Sequence, residues 1–326
     1  MTTICFWHPT CAAHDPGPDH SERGARLVAI IDKLHATLPD LDWQKANRGD
    51  IHAIALVHTP EYSNFVFDAV PTAGYRTIEI NEVDSAYDPS EVTTLSPQSG
   101  EALLRAVGAV TAAVDHTMSK KGNNAFCLTR PPGHHALANK AMGFCVFNNA
   151  AIAERYAQYQ HRADRVAIVD FEVHHGNGTQ SISFNDASVF RASIHQLPLW
   201  PESGYSDEIG IGNILNVPTA PNLSRADWLQ VWQEVVLPRL RQEAFDLLIV
   251  SAGFDAHAED PKGSQNLASE DYYAITADLM QIADERCGGR IVSVLEGGYN
   301  IRASAKSAAA HVAALMGKSD LGINGE

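Results

Sequence analysis

The sequence predicts an α/β protein built on a single open, mostly parallel β-sheet of about eight strands, with helices on both faces. Short apolar runs recur along the chain, and segments with helical spacing of apolar residues separate them. Such alternation requires crossover connections, which pair the strands in parallel and cover both faces of the sheet. No repeat, low-complexity tract or linker interrupts the 326 residues. We therefore expect one domain that spans residues 1–326.

The expected strands are apolar runs, most of them rich in β-branched residues, as is typical of strands buried on both faces. They are Ile4–Trp7, Ala125–Leu128, Val166–Phe171, Val189–Ile194, Leu247–Ser251 and Ile291–Leu295. The expected helices are longer segments with apolar residues at helical spacing. They are Ala25–Leu38, Ser99–Met118, Ala150–Gln160, Arg225–Glu243, Ser269–Arg286 and Ala303–Met316.

The composition argues against several classes of partner. With 39 acidic and 24 basic residues the net charge is −15, which argues against binding to the phosphate backbone of nucleic acids. The five cysteines are scattered and lack paired spacing, as in reduced cytosolic proteins. No stretch approaches the roughly 20 apolar residues of a membrane span, and the N-terminus has no secretion-signal pattern. We expect a cytoplasmic protein with no nucleic-acid or membrane partner.

Polar segments follow four of the expected strands, each at about the point where the strand stops. They are Arg130–Ala136, Asp170–Thr179, Ser251–Asp255 and Glu296–Asn300. Because ligands bind parallel sheets beyond the carboxyl ends of the strands, we expect these segments to form one site. The adjacent His134 and His135, after a rigid Pro-Pro-Gly turn, indicate two positioned proton carriers.

A metal site is indicated by the spacing of Asp170, Glu172 and His174. Residues two apart leave the same face of a strand, so a carboxylate and an imidazole here could chelate one cation if the strand continues. Asp255 could complete the set. Three protein ligands with an open position are typical of catalytic zinc, whereas structural zinc usually has four, often sulfur. His175 points the opposite way, so we expect it to pack or form hydrogen bonds.

These segments, in this order, resemble the histone deacetylase and acetylpolyamine amidohydrolase family, which has the arginase–deacetylase fold. Arg130–Ala136 and Gly297-Gly298-Tyr299 are the most specific motifs, and the resemblance runs essentially from end to end. Further matching segments are His14–Gly17, His20–Arg23, Gly143–Cys145, Asn148–Ala150 and Ser193–His195. The Gly176-Asn177-Gly178 segment is similar to the zinc-dependent class that is common in bacteria.

The resemblance implies a zinc-dependent amidohydrolase, with iron(II) as an alternative metal, that removes acetyl or short acyl groups from N-acetylated amines. The implied roles are zinc binding by Glu172, His174 and Asp255, acid–base catalysis by His134 and His135, polarisation of the substrate carbonyl by Tyr299, and support of the two histidines by Asp170 and Asn177. The implied substrate contacts are Gly143, Phe144, Trp200 and Lys262, and a structural potassium ion would lie at Asp170, Glu172, His174, Ser193 and Ile194.

The two histidines need not act alike. If His134 pairs with Asp170, its protonated form is favoured. His135, beside the neutral Asn177, stays unprotonated more readily and can accept a proton from water. We take this division of roles as a hypothesis.

Glu172 departs from the family, which usually has aspartate as the first ligand. The extra methylene moves the carboxylate by more than about 1 Å, while zinc–oxygen distances are confined to about 2.0–2.2 Å. Three outcomes are open: a repositioned but active zinc, a weaker or different metal, or an inactive relative that serves as a binding protein. We favour an active enzyme because every other catalytic position is intact.

The substrate is left open between acetyl-lysine-type amines, which we favour, and acetylpolyamines. Lys262, on the expected rim loop, would repel a distal ammonium and attract a carboxylate, or it is a surface lysine without a role. The segment Ile78–Ser96 opposes it with acids at Glu79, Glu82, Asp84, Asp88 and Glu91. A two-manganese ureohydrolase of the arginase type is disfavoured, because it would need an aspartate where this chain has Gly253.

Overall fold

The computed structural model describes residues 3–78, 92–119 and 123–319. The strands are β1 Thr3–Trp7, β2 Asp42–Lys45, β3 Arg76–Thr77, β4 Thr94–Leu95, β5 Asn124–Leu128, β6 Val166–Asp170, β7 Val189–Gln196, β8 Ile214–Thr219, β9 Leu247–Ala252 and β10 Ile291–Leu295. The helices are α1 Pro9–Ala13, α2 Gly24–Thr37, α3 Ile51–Ala55, α4 Pro60–Ala69, α5 Ser99–Met118, α6 Asn149–His161, α7 Asn177–Ser183, α8 Arg225–Val231, α9 Leu237–Gln242, α10 Ser269–Cys287 and α11 Ile301–Leu315, with a π-helical turn, Trp232–Val236, between α8 and α9.

An eight-stranded open sheet in the order β2-β1-β5-β10-β9-β6-β7-β8 forms the centre of the fold. Neighbouring strands in it pair in parallel throughout. β3 and β4 form a separate antiparallel pair. The predicted fold class is confirmed, whereas the single domain over residues 1–326 stays a prediction.

Two hydrophobic cores lie on the two faces of this sheet. In β1, Cys5 packs into the core that is shared with α2, α10 and α11, whereas Ile4 and Phe6 pack into the core that is shared with α4, α5 and α6. Alternate residues of the central strands divide in the same way. Burial on both faces explains why these strands are apolar runs rather than alternating patterns.

The sequence did not indicate the two strands at the sheet edges. β2 reads Asp-Trp-Gln-Lys and is largely exposed. β8 contains Asn216 and Pro218. Proline is tolerated at an edge because its missing N–H faces no neighbouring strand. β2 is largely exposed, and β8 is interrupted by asparagine and proline, so neither carries the apolar run that indicated the central strands.

Two further expectations were wrong in detail. The helix expected over Arg225–Glu243 is interrupted by the π-helical turn, and Pro238 lies in the first turn of α9. Proline has no N–H to donate to the helix, so Pro238 explains why the helical hydrogen-bond pattern changes next to it. The strand expected over Val166–Phe171 ends one residue earlier, at Asp170, and the condition that it continues to His174 is not met, because residues 171–174 are irregular.

Candidate active site

The four polar segments lie at the carboxyl ends of β5, β10, β9 and β6, which are consecutive in the sheet. His134 and His135 follow β5, Glu172 and His174 follow β6, Asp255 follows β9, and Tyr299 follows β10. Parallel pairing places all four strand ends at one edge, so short loops bring residues distant in sequence to one place.

Glu172, His174 and Asp255 form a compact, buried group of possible metal ligands. Glu172 Oε1 lies 3.1 Å from His174 Nδ1, which lies 3.0 Å from Asp255 Oδ2. A tetrahedral zinc ion with bonds of about 2.0–2.1 Å separates its ligand atoms by roughly 3.3 Å, only a few tenths more. The donor types and their spacing therefore fit a catalytic zinc ion.

The turn after β6 explains why these ligands converge although the strand has ended. The N–H of Glu172 donates to Asp170 Oδ1 over 3.2 Å. The N–H of Val173 donates to Asp255 Oδ1 over 2.9 Å, while the other oxygen of that carboxylate faces His174. Side-chain carboxylates thus replace the strand's hydrogen bonds and fix the backbone between the ligands.

The longer side chain of Glu172 is accommodated by glycine on two sides. A Cβ atom at Gly253 or at Gly297 would overlap the Glu172 side chain. The N–H of Gly297 also donates to Glu172 Oε2 over 2.7 Å. The backbone therefore holds Glu172 Oε2, while Oε1 reaches His174, the neighbouring possible ligand. The extra methylene does not separate Glu172 from its partners.

The negative charge of this group changes the pKa values of its members. Burial lowers the pKa of His174, but the hydrogen bonds and charges of Asp255 and Glu172 outweigh it and raise the pKa to about 9. Burial and the charge of Glu172 raise the pKa of Asp255 to about 7. Buried carboxylates this close repel each other, and a bound cation would relieve the repulsion.

The two adjacent histidines have the partners that the sequence suggested for them. His134 Nδ1 lies 3.0 Å from Asp170 Oδ2, and His134 Nε2 lies 3.1 Å from Glu172 Oε1. Burial lowers the pKa of His134, but the charges of Glu172 and Asp170 raise it well above its usual value. Burial and the charge of His134 lower the pKa of His135 well below it. The environment thus favours a protonated His134 beside a neutral His135.

The tautomer of His135 follows from its contact with Asn177. His135 Nδ1 lies 2.9 Å from Asn177 Oδ1, and Asn177 Nδ2 donates to Met142 Sδ over 3.3 Å. Because the amide nitrogen contacts the sulfur, the amide oxygen faces the ring, so Nδ1 carries the hydrogen. This leaves His135 Nε2 as the proton acceptor.

Tyr299 is held mainly through its backbone. Its N–H donates to Asp260 Oδ2 over 2.6 Å, and Arg26 Nε donates to the carbonyl of Gly298 over 2.5 Å. The Arg26 guanidinium lies 4.9 Å from the centre of the Tyr299 ring. Burial and the charge of Glu172 raise the pKa of the phenol well above its usual value, so it stays a hydrogen-bond donor.

The expected pocket walls lie at the same site. The Trp200 ring is 4.7 Å from the His135 ring, and the Phe144 ring is 5.9 Å from the Tyr299 ring. A Cβ atom at Gly143, whose φ is 56°, would overlap both Trp200 and His135. Two aromatic rings and a glycine therefore border the histidine and the tyrosine.

Lys262 belongs to the loop that holds Tyr299. Its backbone N–H donates over 3.0 Å to Asp260 Oδ1, the second oxygen of the carboxylate that binds the Tyr299 N–H. The lysine is half-buried. The acidic residues that oppose it in the sequence, Glu79, Glu82, Asp84, Asp88 and Glu91, lie outside the described residues.

A buried network of charges supports the site, and the sequence analysis assigned no role to its members. Glu22 accepts hydrogen bonds from Arg130 at 2.5 Å and 2.8 Å and from Arg26 at 2.8 Å. Glu296 Oε2 accepts from the N–H groups of Gly133, over 2.6 Å, and His134, over 3.2 Å. The sequence contained one indication of this network: its members Glu22, Arg130 and Glu296 lie within or beside the motifs that match the family.

Arg191 was also missed. It is buried in β7, with Nη2 3.5 Å from Asp170 Oδ2 and Nη1 3.4 Å from His175 Nε2. In the sequence, Arg191 could have been recognised as an arginine within an otherwise apolar run. The expected potassium ion stays a prediction, and at its expected position Ser193 Oγ lies 2.9 Å from His195 Nδ1.

Comparisons with known proteins agree with this geometry. The family description "Histone deacetylase domain" matches residues 18–315. Histone deacetylase 10, chloroplastic, from Oryza sativa subsp. japonica is 37% identical over 319 residues, which cover 93% of this chain and 71% of the relative. The histone deacetylase-like amidohydrolase of Pseudomonas aeruginosa is 33% identical over 320 residues, covering 91% of this chain and 80% of the relative. The crystal structure of the HDA15 HD domain matches with a TM-score of 0.88 at 32% identity, covering 99% of this chain and 91% of that chain. With its fold, its site and these relatives in agreement, the chain belongs to the histone deacetylase family of amidohydrolases.

Proposed function

We propose that this chain is a zinc-dependent deacetylase that removes acetyl or short acyl groups from N-acetylated amines, most readily from acetyl-lysine-type substrates. One observation carries the proposal: the ligand group of Glu172, His174 and Asp255 lies directly beside the histidine pair. His134 Nε2 is 3.1 Å from a ligand oxygen, and the ring centres of His134 and His135 are 3.9 Å apart.

Zinc would be held by Glu172, His174 and Asp255. When bound, it supplies a Lewis acid that polarises an amide carbonyl and makes water a stronger nucleophile at neutral pH. Two carboxylates and one imidazole, without a cysteine in the group, are typical of catalytic rather than structural zinc.

The two histidines would divide the proton transfers. His135, neutral and with Nε2 as acceptor, takes a proton from the attacking water and passes it to the leaving nitrogen. His134 stays protonated beside Asp170 and contributes a fixed positive charge. If His135→Ala kept near-normal turnover while His134→Ala lost it, the roles assigned to the two histidines would have to be exchanged.

Tyr299 would donate a hydrogen bond to the substrate carbonyl as negative charge develops on its oxygen. We expect Tyr299→Phe to lower kcat by about 10²–10³-fold, because one donor to an oxyanion typically contributes that much. The measurement is steady-state turnover of a fluorogenic acetyl-lysine amide by zinc-loaded protein. Tyr159→Phe, at an exposed tyrosine of α6, is the matched control and should leave kcat unchanged. Equal rates for Tyr299→Phe and wild type would contradict the role.

The substrate class is tested by comparing acetyl-lysine peptides with N-acetylputrescine and acetylspermidine. We expect the higher kcat/KM for acetyl-lysine peptides, because Lys262 lies on the loop beside Tyr299 and would repel the distal ammonium of a polyamine. A higher value for the polyamines would favour the acetylpolyamine alternative.

Metal analysis separates an enzyme from a binding protein. We expect purified protein to hold one equivalent of zinc or iron and to lose activity when the metal is removed. A chain without a stoichiometric divalent metal, and inert with added zinc or iron, would instead be a non-catalytic binding protein.

The location and the partners of the chain stay predictions. In residues 3–78, 92–119 and 123–319, no helix is both long enough and apolar enough to cross a bilayer. The cytoplasmic location and the lack of a nucleic-acid partner rest on the sequence alone.

A further inference from the structure

Glu172 belongs to two groups of possible metal ligands. Its Oε1 lies 3.1 Å from His174 Nδ1 on one side and 3.1 Å from His134 Nε2 on the other. Donor atoms of His134, His135 and Glu172 all lie within 4.8 Å of one another, as do those of Glu172, His174 and Asp255. The proposed function uses only the second of these groups as a metal site.

We propose that His134, His135 and Glu172 form a second zinc site, which shares Glu172 with the first and inhibits the enzyme when it is filled. This proposal rests on the proposed function, because the inhibition presumes that the two histidines are catalytic. Two nitrogens and one carboxylate oxygen are a common donor set for zinc.

The histidines are oriented as metal ligands usually are. Nδ1 of His134 faces Asp170 and Nδ1 of His135 faces Asn177, so both Nε2 atoms point away from these partners. Zinc at His134 would replace the proton between its Nε2 and Glu172 Oε1. Hydrogen bonds to the second ring nitrogen fix ring orientation in metal sites. His134, His135 and Glu172 are all buried, and their donor atoms already lie within 4.8 Å of one another.

The glutamate side chain is what joins the two groups. Its Oε2 is held by the N–H of Gly297, which leaves Oε1 between His134 and His174. An aspartate would place its carboxylate nearer to its own backbone by about one carbon–carbon bond, roughly 1.5 Å. The second group therefore depends on the length of residue 172.

Filling the second site would use the nitrogens that proton transfer needs. We expect one equivalent of zinc to support turnover and a second, weaker equivalent to lower it by about 10²-fold or more, the usual contribution of general acid–base catalysis.

The test measures binding as well as activity. The 326-residue chain is dialysed against buffers of fixed free zinc concentration, and bound zinc per chain is determined by metal analysis. We expect wild type to reach two equivalents and Glu172→Asp to stop at one. His135→Gln, which keeps Glu172, His174 and Asp255, should also stop at one, and it tests the proposal if Glu172→Asp fails to fold.

A surface variant controls for zinc bound elsewhere. His161 Nε2 lies 2.7 Å from Asp115 Oδ1 at an exposed position and is the kind of pair that binds zinc adventitiously. His161→Gln should still reach two equivalents and should still be inhibited by excess zinc.

The outcomes separate this inference from the proposed function. Wild type that stops at one equivalent and is not inhibited by excess zinc would overturn the second site and leave the proposed function intact. Two equivalents in both Glu172→Asp and His135→Gln would overturn it as well. Wild type that binds no zinc would overturn both proposals.

Discussion

At the scale of single residues, Asp260 connects the backbone of Lys262 to that of Tyr299. Its Oδ2 accepts the N–H of Tyr299, over 2.6 Å, and of Asn300, over 2.9 Å, and its Oδ1 accepts the N–H of Lys262 over 3.0 Å. One buried carboxylate thus fixes the backbone at the proposed hydrogen-bond donor, Tyr299, and at the residue that follows it.

We expect Asp260→Ala to lower kcat by about tenfold or more with little change in KM, because a displacement of about 1 Å in a catalytic group can cost that much. The change also leaves N–H groups without their acceptor, each at a cost of about 1–3 kcal/mol if it stays buried. Steady-state kinetics and thermal unfolding measure the two effects.

Asp260→Asn is the matched control, since the amide keeps one acceptor oxygen. It should recover most of the lost kcat if the oxygen's role is to position Tyr299. An Asp260→Ala variant that is less stable but turns over normally would show that the residue is structural only.

At the scale of elements, helix α6 connects the histidine loop to the interior. Asn148 Oδ1 accepts the N–H of Ala151 over 3.0 Å at the helix start, and its Nδ2 donates to the carbonyl of Ala136 over 3.2 Å. One turn further on, Glu154 is fully buried, and neither carboxylate oxygen has a hydrogen-bond partner among the described residues. Arg155 Nη1, 3.4 Å away, is its nearest charge.

This glutamate predicts a pH dependence of stability. Burial raises the pKa of Glu154 from 4.5 to about 8, so the unfolded chain ionises first as the pH rises. Its contribution to stability is therefore complete below about pH 4.5 and is lost progressively up to about pH 8. We expect Glu154→Gln to raise the melting temperature by several degrees at pH 8 and to change it little at pH 5.

Calorimetry of both proteins at the two pH values measures this difference. Glu61→Gln, at an exposed glutamate of α4, is the control and should show no such pH-dependent gain. A gain of equal size at pH 5 and pH 8 would mean that ionisation of Glu154 is not its cause.

At the scale of the whole molecule, the proposed zinc ligands come from loops after β6 and β9, far apart in the chain. A cation that binds only the folded arrangement stabilises it by mass action, by about 4 kcal/mol at a thousandfold excess over Kd. We expect removal of zinc by a chelator to lower the melting temperature by several degrees and its return to restore the loss. A melting temperature that does not change when zinc is removed or returned would contradict the metal site.

The central strands and the site motifs were predictable because their signals are local. Runs such as Ile291–Leu295 are apolar because both faces are buried, and polar residues follow each run where a parallel sheet exposes its strand ends. β2 was not predictable, because an exposed edge strand has no such pattern. The strand expected over Val166–Phe171 ends at Asp170, and Glu172 and His174 converge through a turn held by side-chain contacts, which the sequence does not show.

By itself, the sequence determined the fold class and which loops carry the chemistry, since both depend on residue types at short spacing. Only the tertiary structure decided that β5, β10, β9 and β6 are consecutive, that glycine accommodates Glu172, and that Arg191 lies beside Asp170. These features are contacts between segments distant in the chain. Their geometry depends on how the two cores pack against the sheet, and no local pattern of residues encodes it.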